Sequence, residues 1–321
     1  MKIHTLKVGI LLKILSANHL PLKQGTAVAL GNFDGVHIGH KKLMDELVFY
    51  AKMHGLFSCV YTFSHTPANI LSGKIVSPRL TPDREKEKII TEMRVDGLYK
   101  EDFAAVWHLS PEEFVRDILK EKFKSRHLVV GFNFSFGKDG SGTAQTLTEL
   151  AQKYGMTVSI IPPVIYGDVL VSSSYIRRLV EKGDMESAVL YLGRPLFIDM
   201  PVVEGRKIGH QIGVPTINQN FPEENVIPRK GVYACTCDID GEPYIGISNI
   251  GVRPTVTGHF EGPVVCETHI FNYVGILYGR NVKVSFYKHL RDEMKFSSTM
   301  ELKCTILRDM DAVRDYFNLY Y

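Results

Sequence analysis

The order of hydrophobic patterns along the chain constrains its fold more than any other feature. In the first half, short apolar runs alternate with segments whose apolar residues recur at helical spacing. Predicted strands lie at 26–30, 58–63, 127–130 and 157–161, and a predicted helix lies at 39–54. This alternation predicts an α/β domain with a parallel sheet covered by helices on both faces.

After about residue 196, strand patterns follow one another without helices between them. Segments 231–237 and 243–247 flank Asp240-Gly241, a hairpin turn signal, and two more strands are predicted at 264–271 and 281–287. A final helix is predicted from the capping-box residues Ser298 and Glu301. This half predicts a small β-barrel with a terminal helix. The predicted domains are residues 1–185 and 186–321.

Composition narrows the functional classes. A net charge of +3 is too small to argue for nucleic-acid binding and suits a protein that handles anionic ligands. No run approaches the roughly 20 apolar residues of a transmembrane helix, and no signal-peptide cleavage site follows an uninterrupted apolar segment. The five cysteines are odd in number and lack metal-ligand spacing. We therefore expect a cytoplasmic protein with no membrane or nucleic-acid partner.

The segment at 31–40, GNFDGVHIGH, joins a predicted strand to a predicted helix. Its glycines, Gly31 and Gly35, let the backbone approach a phosphate closely, and the helix N-terminus supplies unpaired N–H donors. His37 and His40 share one face of the first helical turn. Two imidazoles there can stabilise the charge on a departing pyrophosphate. A capped turn with two surface histidines is the alternative interpretation.

A second motif follows the predicted boundary. Gly205, Gly209 and Gly213 space a basic loop that contains Lys207 and leads into VPTIN at 214–218. Thr216 and Asn218 are oxygen donors two residues apart, so in extended chain they point the same way and can share one Mg²⁺. A solvated surface turn is the alternative interpretation for the loop alone.

Together these segments resemble the prokaryotic bifunctional riboflavin kinase/FAD synthetases, whose first half belongs to the His-x-Gly-His nucleotidyltransferases. The resemblance runs from about residue 25 to 316, and further motifs carry it at 131–137, 171–177, 192–195, 231–233, 248–255, 267–271, 277–279 and 290–296. It implies a Rossmann-like nucleotidyltransferase domain with a parallel sheet, followed by a six-stranded antiparallel β-barrel riboflavin kinase domain. The implied reactions are phosphorylation of riboflavin to FMN and adenylylation of FMN to FAD, with Mg²⁺ accompanying ATP.

The resemblance also implies roles for individual residues. The implied nucleotide-binding residues are Gly31, Asn32, Phe33, Gly35, Asn133, Ser173, Ser174, Gly205, Lys207, Gly209 and Gly213. Arg177 joins His37 and His40 as a phosphate clamp, and Glu267 is the implied base for the ribityl 5′-hydroxyl. Arg291, Glu293 and Phe296 are implied flavin contacts. Small molecules are the expected partners, and the expected oligomeric state is a monomer or weak homo-oligomer.

Two departures from the family pattern keep alternatives open. Where the family has Pro-His-Pro after the second strand, this chain has His65, Thr66 and Pro67, which predicts a looser loop. His210 stands where the family commonly has arginine. The alternatives are a kinase with a weakened first domain, a non-catalytic flavin-binding regulator, or a nucleotidyltransferase for another phosphate or lipid head group. For Glu267 the alternative is a barrel-rim ion pair with Arg291 or Arg253.

Overall fold

The computed structural model describes residues 12–205, 209, 213–252 and 262–320. The chain divides into two compact units, Met1–Ser173 and Ser174–Tyr321. Among the described residues, no helix is both long and apolar enough to span a bilayer.

The first unit contains a parallel sheet. Its described strands are β1 (Lys13–Leu15), β2 (Thr26–Leu30), β3 (Phe57–Phe63), β4 (Gly97–Glu101), β5 (Ser125–Gly131), β6 (Ser135–Phe136), β7 (Gly142–Thr143), β8 (Thr157–Ile161), β9 (Ile165–Tyr166) and β10 (Val169–Leu170). Six of these described strands form the sheet in the order β1-β4-β3-β2-β5-β8, and every neighbouring pair is parallel. The other four pair into two short hairpins, β6 with β7 and β9 with β10.

Helices cover both faces of this sheet. They are α1 (Ile38–His54), α2 (Pro67–Ser72), α3 (Asp83–Glu92), α4 (Phe103–Val106), α5 (Pro111–Glu113), continued by a π-helical segment at Phe114–Lys122, and α6 (Ala144–Lys153). Alternate residues of β2 face opposite ways, so Ala27 and Ala29 pack with α1, while Val28 and Leu30 pack with the π-helical segment and α6. The predicted α/β architecture is confirmed.

The second unit contains an antiparallel barrel. Its strands are β11 (Leu196–Pro201), β12 (Ile217–Asn220), β13 (Gly231–Ile239), β14 (Glu242–Val252), β15 (Val264–Ile270) and β16 (Asn281–Arg291). These six described strands follow the order β11-β16-β13-β14-β15-β12, and a bridge between Val203 and Asn218 brings the two edges together. The helices are α7 (Ser173–Lys182), α8 (Met185–Leu192) and α9 (Thr299–Tyr320). The predicted barrel with a terminal helix is confirmed.

The barrel interior is lined partly by thiols. Cys235 and Cys237 occupy one face of β13, as their spacing predicts, while Val232 and Ala234 on the other face pack against α9. Ser248 Oγ donates to Cys235 Sγ over 3.1 Å. Burial raises the pKa of the Cys266 thiol to about 12. The Cys266 thiol therefore stays protonated and packs as a small buried group.

Candidate active sites

The loop between β2 and α1 has an unusual backbone. Phe33, Gly35 and Val36 all have positive φ, at 48°, 81° and 39°. Glycine adopts this region freely, but a β-branched residue such as Val36 does so only under strain. The Phe33 side chain is fully buried beneath the loop. Such a cluster of left-handed residues marks a functional loop whose surroundings must hold it in place.

Several side chains supply that support. The Asp34 carboxylate accepts hydrogen bonds from two backbone N–H groups. The Leu80 N–H lies 2.9 and 3.2 Å from the two carboxylate oxygens, and the Thr81 N–H lies 3.4 Å from one of them. The Asn32 carbonyl accepts from Thr62 Oγ1 at 3.0 Å and from Lys86 Nζ at 3.4 Å. Thr62 belongs to β3, while the other donors belong to α3 or to the segment just before it. The loop is therefore held from two sides.

His37 closes the loop by capping α1. The backbone N–H of His40 donates to His37 Nδ1 over 3.3 Å. A ring nitrogen that accepts a hydrogen bond carries no proton, so in the neutral imidazole the proton lies on Nε2. This hydrogen bond assigns His37 the tautomer whose donor is Nε2–H. This is the donor that contact with a phosphate oxygen requires.

Gly39 explains why a glycine lies between the two histidines. The rings of His37 and His40 stack with centroids 3.6 Å apart and planes 15° apart. A Cβ at position 39 would lie 3.0 Å from His37 Cε1 and 3.1 Å from Nδ1. Glycine leaves room for the His37 ring over the helix N-terminus, and a Cβ would push that ring away by a few tenths of an ångström. The two predicted imidazoles are thus brought together.

The segment that departs from the family pattern follows β3. His65 is exposed, and Thr66 precedes α2 without a side-chain capping bond. However, the Ser64 backbone N–H donates to the Glu101 carbonyl, and the Ser64 carbonyl accepts from Arg79 Nη2, both at 2.9 Å. These two bonds restrain the loop where the expected proline is missing.

The other predicted residues of this half lie on two elements. Asn133 is exposed, two residues beyond β5 at the edge of the sheet where strands β2 and β3 also end. Ser173 Oγ donates to the Asp34 carbonyl over 2.8 Å, which joins it to the loop. Ser174 and Arg177 lie on α7 within the second unit, and Arg177 Nη1 donates to Ser174 Oγ over 3.4 Å.

In the barrel, strand register brings together residues that are distant in sequence. Asn218 on β12 lies directly opposite Glu267 on β15, and Asn249 on β14 flanks Glu267 on its other side. Asn218 is only 5% exposed. Thr216 immediately precedes β12, where the adjacent Pro215 carbonyl bonds to His269 Nδ1 at 2.7 Å. The predicted base and the predicted ligand Asn218 therefore lie side by side on neighbouring strands, and Thr216 lies just before one of them.

Glycines fit closely around this cluster. A Cβ at Gly205 would overlap the Asn218 amide, and one at Gly209 would overlap the Val214 carbonyl. Gly209 also accepts the Val214 backbone N–H at 2.8 Å, and Gly213 has φ of 80°. Lys207, His210 and Arg253 lie outside the described residues.

The residues present suit a hard divalent cation. Asn218 Oδ1 is buried and has no hydrogen-bond partner among the described residues. A buried amide oxygen without a donor is costly unless a ligand satisfies it. Mg²⁺ prefers oxygen ligands and retains phosphate and water oxygens in its shell, which matches an amide and a hydroxyl on one strand end.

The predicted flavin contacts lie at the end of β16 and just beyond it. Arg291 forms a bidentate ion pair with Asp309 of α9, at 2.7–3.1 Å, and its guanidinium lies 5.9 Å from the Phe296 ring centroid. The Glu293 carboxylate occupies the space that a Cβ at Gly251 of β14 would need. Arg291 thus pairs with Asp309 and connects the segment to the terminal helix.

Sequence reasoning missed Asp34, Arg79 and Lys86 as supports of the first site. Asp34 was visible inside the motif. Lys86 lies four residues before Ile90, which is buried in the core, so its charge falls on the buried face of α3. A lysine at a core position of a helix was the available signal.

Comparisons with known proteins find matches to both halves of the chain. The FAD synthetase family matches residues 20–175, and the riboflavin kinase family matches residues 192–317. The bifunctional riboflavin kinase/FMN adenylyltransferase of Bacillus subtilis is 36% identical over 92% of this chain and 93% of its own length. The protein of the same description from Escherichia coli K12 is 33% identical over 92% of this chain and 94% of its own.

A solved structure shares the arrangement of elements along the whole chain. It is described as a macrolide-efflux protein from Streptococcus pneumoniae, is 28% identical, and matches with a TM-score of 0.82 over 92% of this chain and 96% of that one. Both halves of the fold are therefore found together in another solved chain.

Proposed function

The chain belongs to the family of bifunctional riboflavin kinase/FMN adenylyltransferases, and on that premise we propose that it makes FAD from riboflavin in two steps. The barrel transfers the γ-phosphoryl group of ATP to riboflavin, giving FMN and ADP. The α/β half transfers AMP from a second ATP to FMN, giving FAD and pyrophosphate. The observation that carries the proposal is that both families match, in order, on one chain.

In the kinase step we assign Glu267 as the base. Its carboxylate orients the ribityl 5′-hydroxyl and accepts its proton as the oxygen attacks the γ-phosphorus. The opposition of Glu267 and Asn218 across β12 and β15 supports this role, because it places a carboxylate beside the proposed cation ligands. The glycine-spaced loop at Gly205, Gly209 and Gly213, with Lys207, is assigned to the nucleotide, and Arg291, Glu293 and Phe296 to the flavin.

We propose Thr216 and Asn218 as the residues that hold Mg²⁺. When bound, the ion neutralises charge on the β- and γ-phosphates of ATP. The buried Oδ1 of Asn218, which has no hydrogen-bond partner within the described parts of the chain, supports this assignment. The chain itself supplies the ligand oxygens and the base.

In the adenylyl step no protein base is required, because the FMN phosphate is already a nucleophile. The chain aligns it with the α-phosphorus and stabilises the departing pyrophosphate. We assign this to His37 Nε2–H, His40, the N-terminus of α1 and Arg177, with Gly31, Asn32, Phe33, Gly35, Asn133, Ser173 and Ser174 contacting the nucleotide. The assigned His37 tautomer supports a donor role.

Broader features are proposed alongside. We keep the functional boundary at residues 1–185 and 186–321, which falls between the two family matches, although α7 is joined to the segment before β13 by a bond from the Arg229 backbone N–H to the Val180 carbonyl at 3.1 Å. We propose a cytoplasmic location, supported by five free thiols. The proposed ligands are small molecules, with no nucleic acid, and the proposed state is a monomer or weak homo-oligomer.

Chromatography of products tests the proposal. Purified chain is incubated with MgATP and either riboflavin or FMN. We expect FMN and then FAD from riboflavin, and FAD from FMN at a comparable rate. FMN without FAD would favour the kinase-only alternative. Flavin binding without ATP consumption, in wild type and Glu267→Gln alike, would favour the non-catalytic regulator.

A further inference from the structure

Lys86 is a buried cation beside the loop of the first site. It lies in the first turns of α3, and its side chain is only 8% exposed. Nζ lies 3.4 Å from the Asn32 carbonyl and 3.7 Å from Asp83 Oδ1. Lysine is rarely buried to this extent, because removing an ammonium from water is costly unless its partners compensate.

The groups facing Lys86 come from every element packed against it. Asp83 is on the same helix, Asp34 is in the loop, Arg79 precedes the helix, and Lys100 is on β4. Arg79 also pairs with Asp83 at 3.2 Å. The carboxylates of Asp83 and Asp34 thus offset part of the positive charge of Lys86, Arg79 and Lys100, and the Lys86 ammonium also donates a hydrogen bond to the loop backbone.

That hydrogen bond reaches the most constrained part of the loop. Asn32 directly precedes Phe33, the first of the left-handed residues, and its carbonyl accepts from Thr62 as well. A strained loop keeps its conformation only when its surroundings over-determine it. A charged donor gives a stronger hydrogen bond than a neutral one, so Lys86 is well suited to hold this carbonyl.

We propose that Lys86 is a positioning residue for adenylyl transfer, whose ammonium fixes the Asn32 carbonyl and thereby the phosphate-binding loop. The inference rests on the proposed function, since it concerns the same step. Lys86 acts through the loop backbone and does not touch the reacting atoms. The alternative is a purely structural ion pair with Asp83.

Steady-state kinetics on the full chain separate these roles. For Lys86→Met we expect kcat for FAD formation from FMN to fall by about 10- to 100-fold, with a smaller change in KM for MgATP, because small misplacements act mainly in the transition state. The kinase step of the same protein is the internal control and should be unchanged. Lys88→Met is the matched control, since Lys88 is on the same helix, is 49% exposed and pairs with Glu85.

The conservative variant gives a second readout. Burial lowers the pKa of Lys86 from its ordinary value, so kcat for FAD formation in wild type should decline on the alkaline side as the ammonium loses its proton. Lys86→Arg remains charged at these pH values. It should recover kcat to within about fivefold of wild type, and its alkaline decline should move to higher pH.

The outcomes distinguish this inference from the proposed function. If Lys86→Met keeps kcat within about twofold of wild type, or if Lys86→Arg declines at the same alkaline pH as wild type, the positioning role is wrong. If Lys86→Met does not fold, the pH profile of Lys86→Arg decides. Failure of wild type to make FAD from FMN would contradict the proposed function, and the Lys86 role with it.

Discussion

The two proposed sites are built in different ways. Around 31–40 the site is mainly backbone: a loop with three left-handed residues, a helix N-terminus, and an imidazole that caps it. In the barrel the site is mainly side chains, held by the pairing of β12 with β15. A site built from a loop backbone requires particular residues at adjacent positions in the sequence. A site built from side chains on paired strands requires particular residues on different strands.

This difference determines how each site responds to substitution. In the loop, changing one residue moves the backbone donors of its neighbours. In the barrel, strand pairing holds the backbone, so a substitution removes a functional group and leaves its surroundings in place. The following predictions test that contrast from the largest expected effect to the smallest.

Glu267→Gln should give the largest loss. It removes the proposed base while keeping the size and strand register of the side chain, so FMN formation should fall by about 10³-fold. FAD formation from supplied FMN should be unchanged. Product chromatography with each substrate measures both. Retention of normal FMN formation would show that another group accepts the proton.

His37→Ala should reduce FAD formation by about 10²-fold, through loss of the Nε2–H donor. It should also destabilise α1 by about 1 kcal/mol, through loss of the cap. His37→Asn is the matched control, because asparagine still caps the helix but lacks the imidazole. We expect it to restore stability in thermal unfolding and not activity. Equal activity of His37→Asn and wild type would reduce His37 to a cap.

A glycine-to-alanine substitution can be made in each of the two sites. Gly205→Ala should displace the Asn218 amide and reduce FMN formation by roughly 10-fold. Gly39→Ala should displace the His37 ring and reduce FAD formation by a similar factor. Each variant controls for the other, since the substitution is the same and only the affected step differs. Loss of both steps in either variant would contradict the separation of the sites.

The last prediction concerns the free energy of unfolding and a residue at the opposite end of the sheet from the first site. His127 at the start of β5 is buried, stacks on Tyr50 with centroids 3.5 Å apart, and bonds to Thr157 Oγ1 at 2.7 Å. Burial lowers the pKa of His127 to about 4. As the pH falls, His127 therefore takes up a proton at a higher pH in the unfolded chain than in the folded one. The free energy of unfolding should decrease as pH falls from about 6.5 to about 4.

The loss attributable to His127 should be at most about 3.5 kcal/mol, since each pH unit contributes about 1.4 kcal/mol. Unfolding by denaturant at several pH values measures it, and His127→Gln should remove this part of the slope. His54→Gln is the control, because His54 also stacks on Tyr50 but is exposed. An unchanged slope in His127→Gln would contradict the assignment.

Locally determined features were predictable from sequence. Strand 26–30 lies where its pattern predicts, and the Glu301 backbone N–H donates to Ser298 Oγ at 3.2 Å, although the Glu301 carboxylate accepts from Ser297 and not from Ser298 as a full capping box would have it. The loop at 31–40 was predictable for the same reason, because glycines and capping residues specify backbone conformation at adjacent positions.

Features that depend on pairing between distant segments could not be predicted from the sequence. No spacing in the sequence places Asn218 opposite Glu267, because register depends on the turns and the core of the whole barrel. β1 was missed because its three residues lie at the sheet edge with two of them exposed. Lys86 was hidden because its partner, the Asn32 carbonyl, is a backbone atom that every residue carries.

Mixing two inactive variants tests the central claim, that each half performs one complete step on a flavin free to leave. His37→Ala and Glu267→Gln are each given riboflavin and MgATP alone, and then together in equal amounts. Separately, the first should stop at FMN and the second should leave riboflavin unchanged. Together they should make FAD, because FMN from one chain is adenylylated by the other. A mixture that makes no FAD would contradict the account.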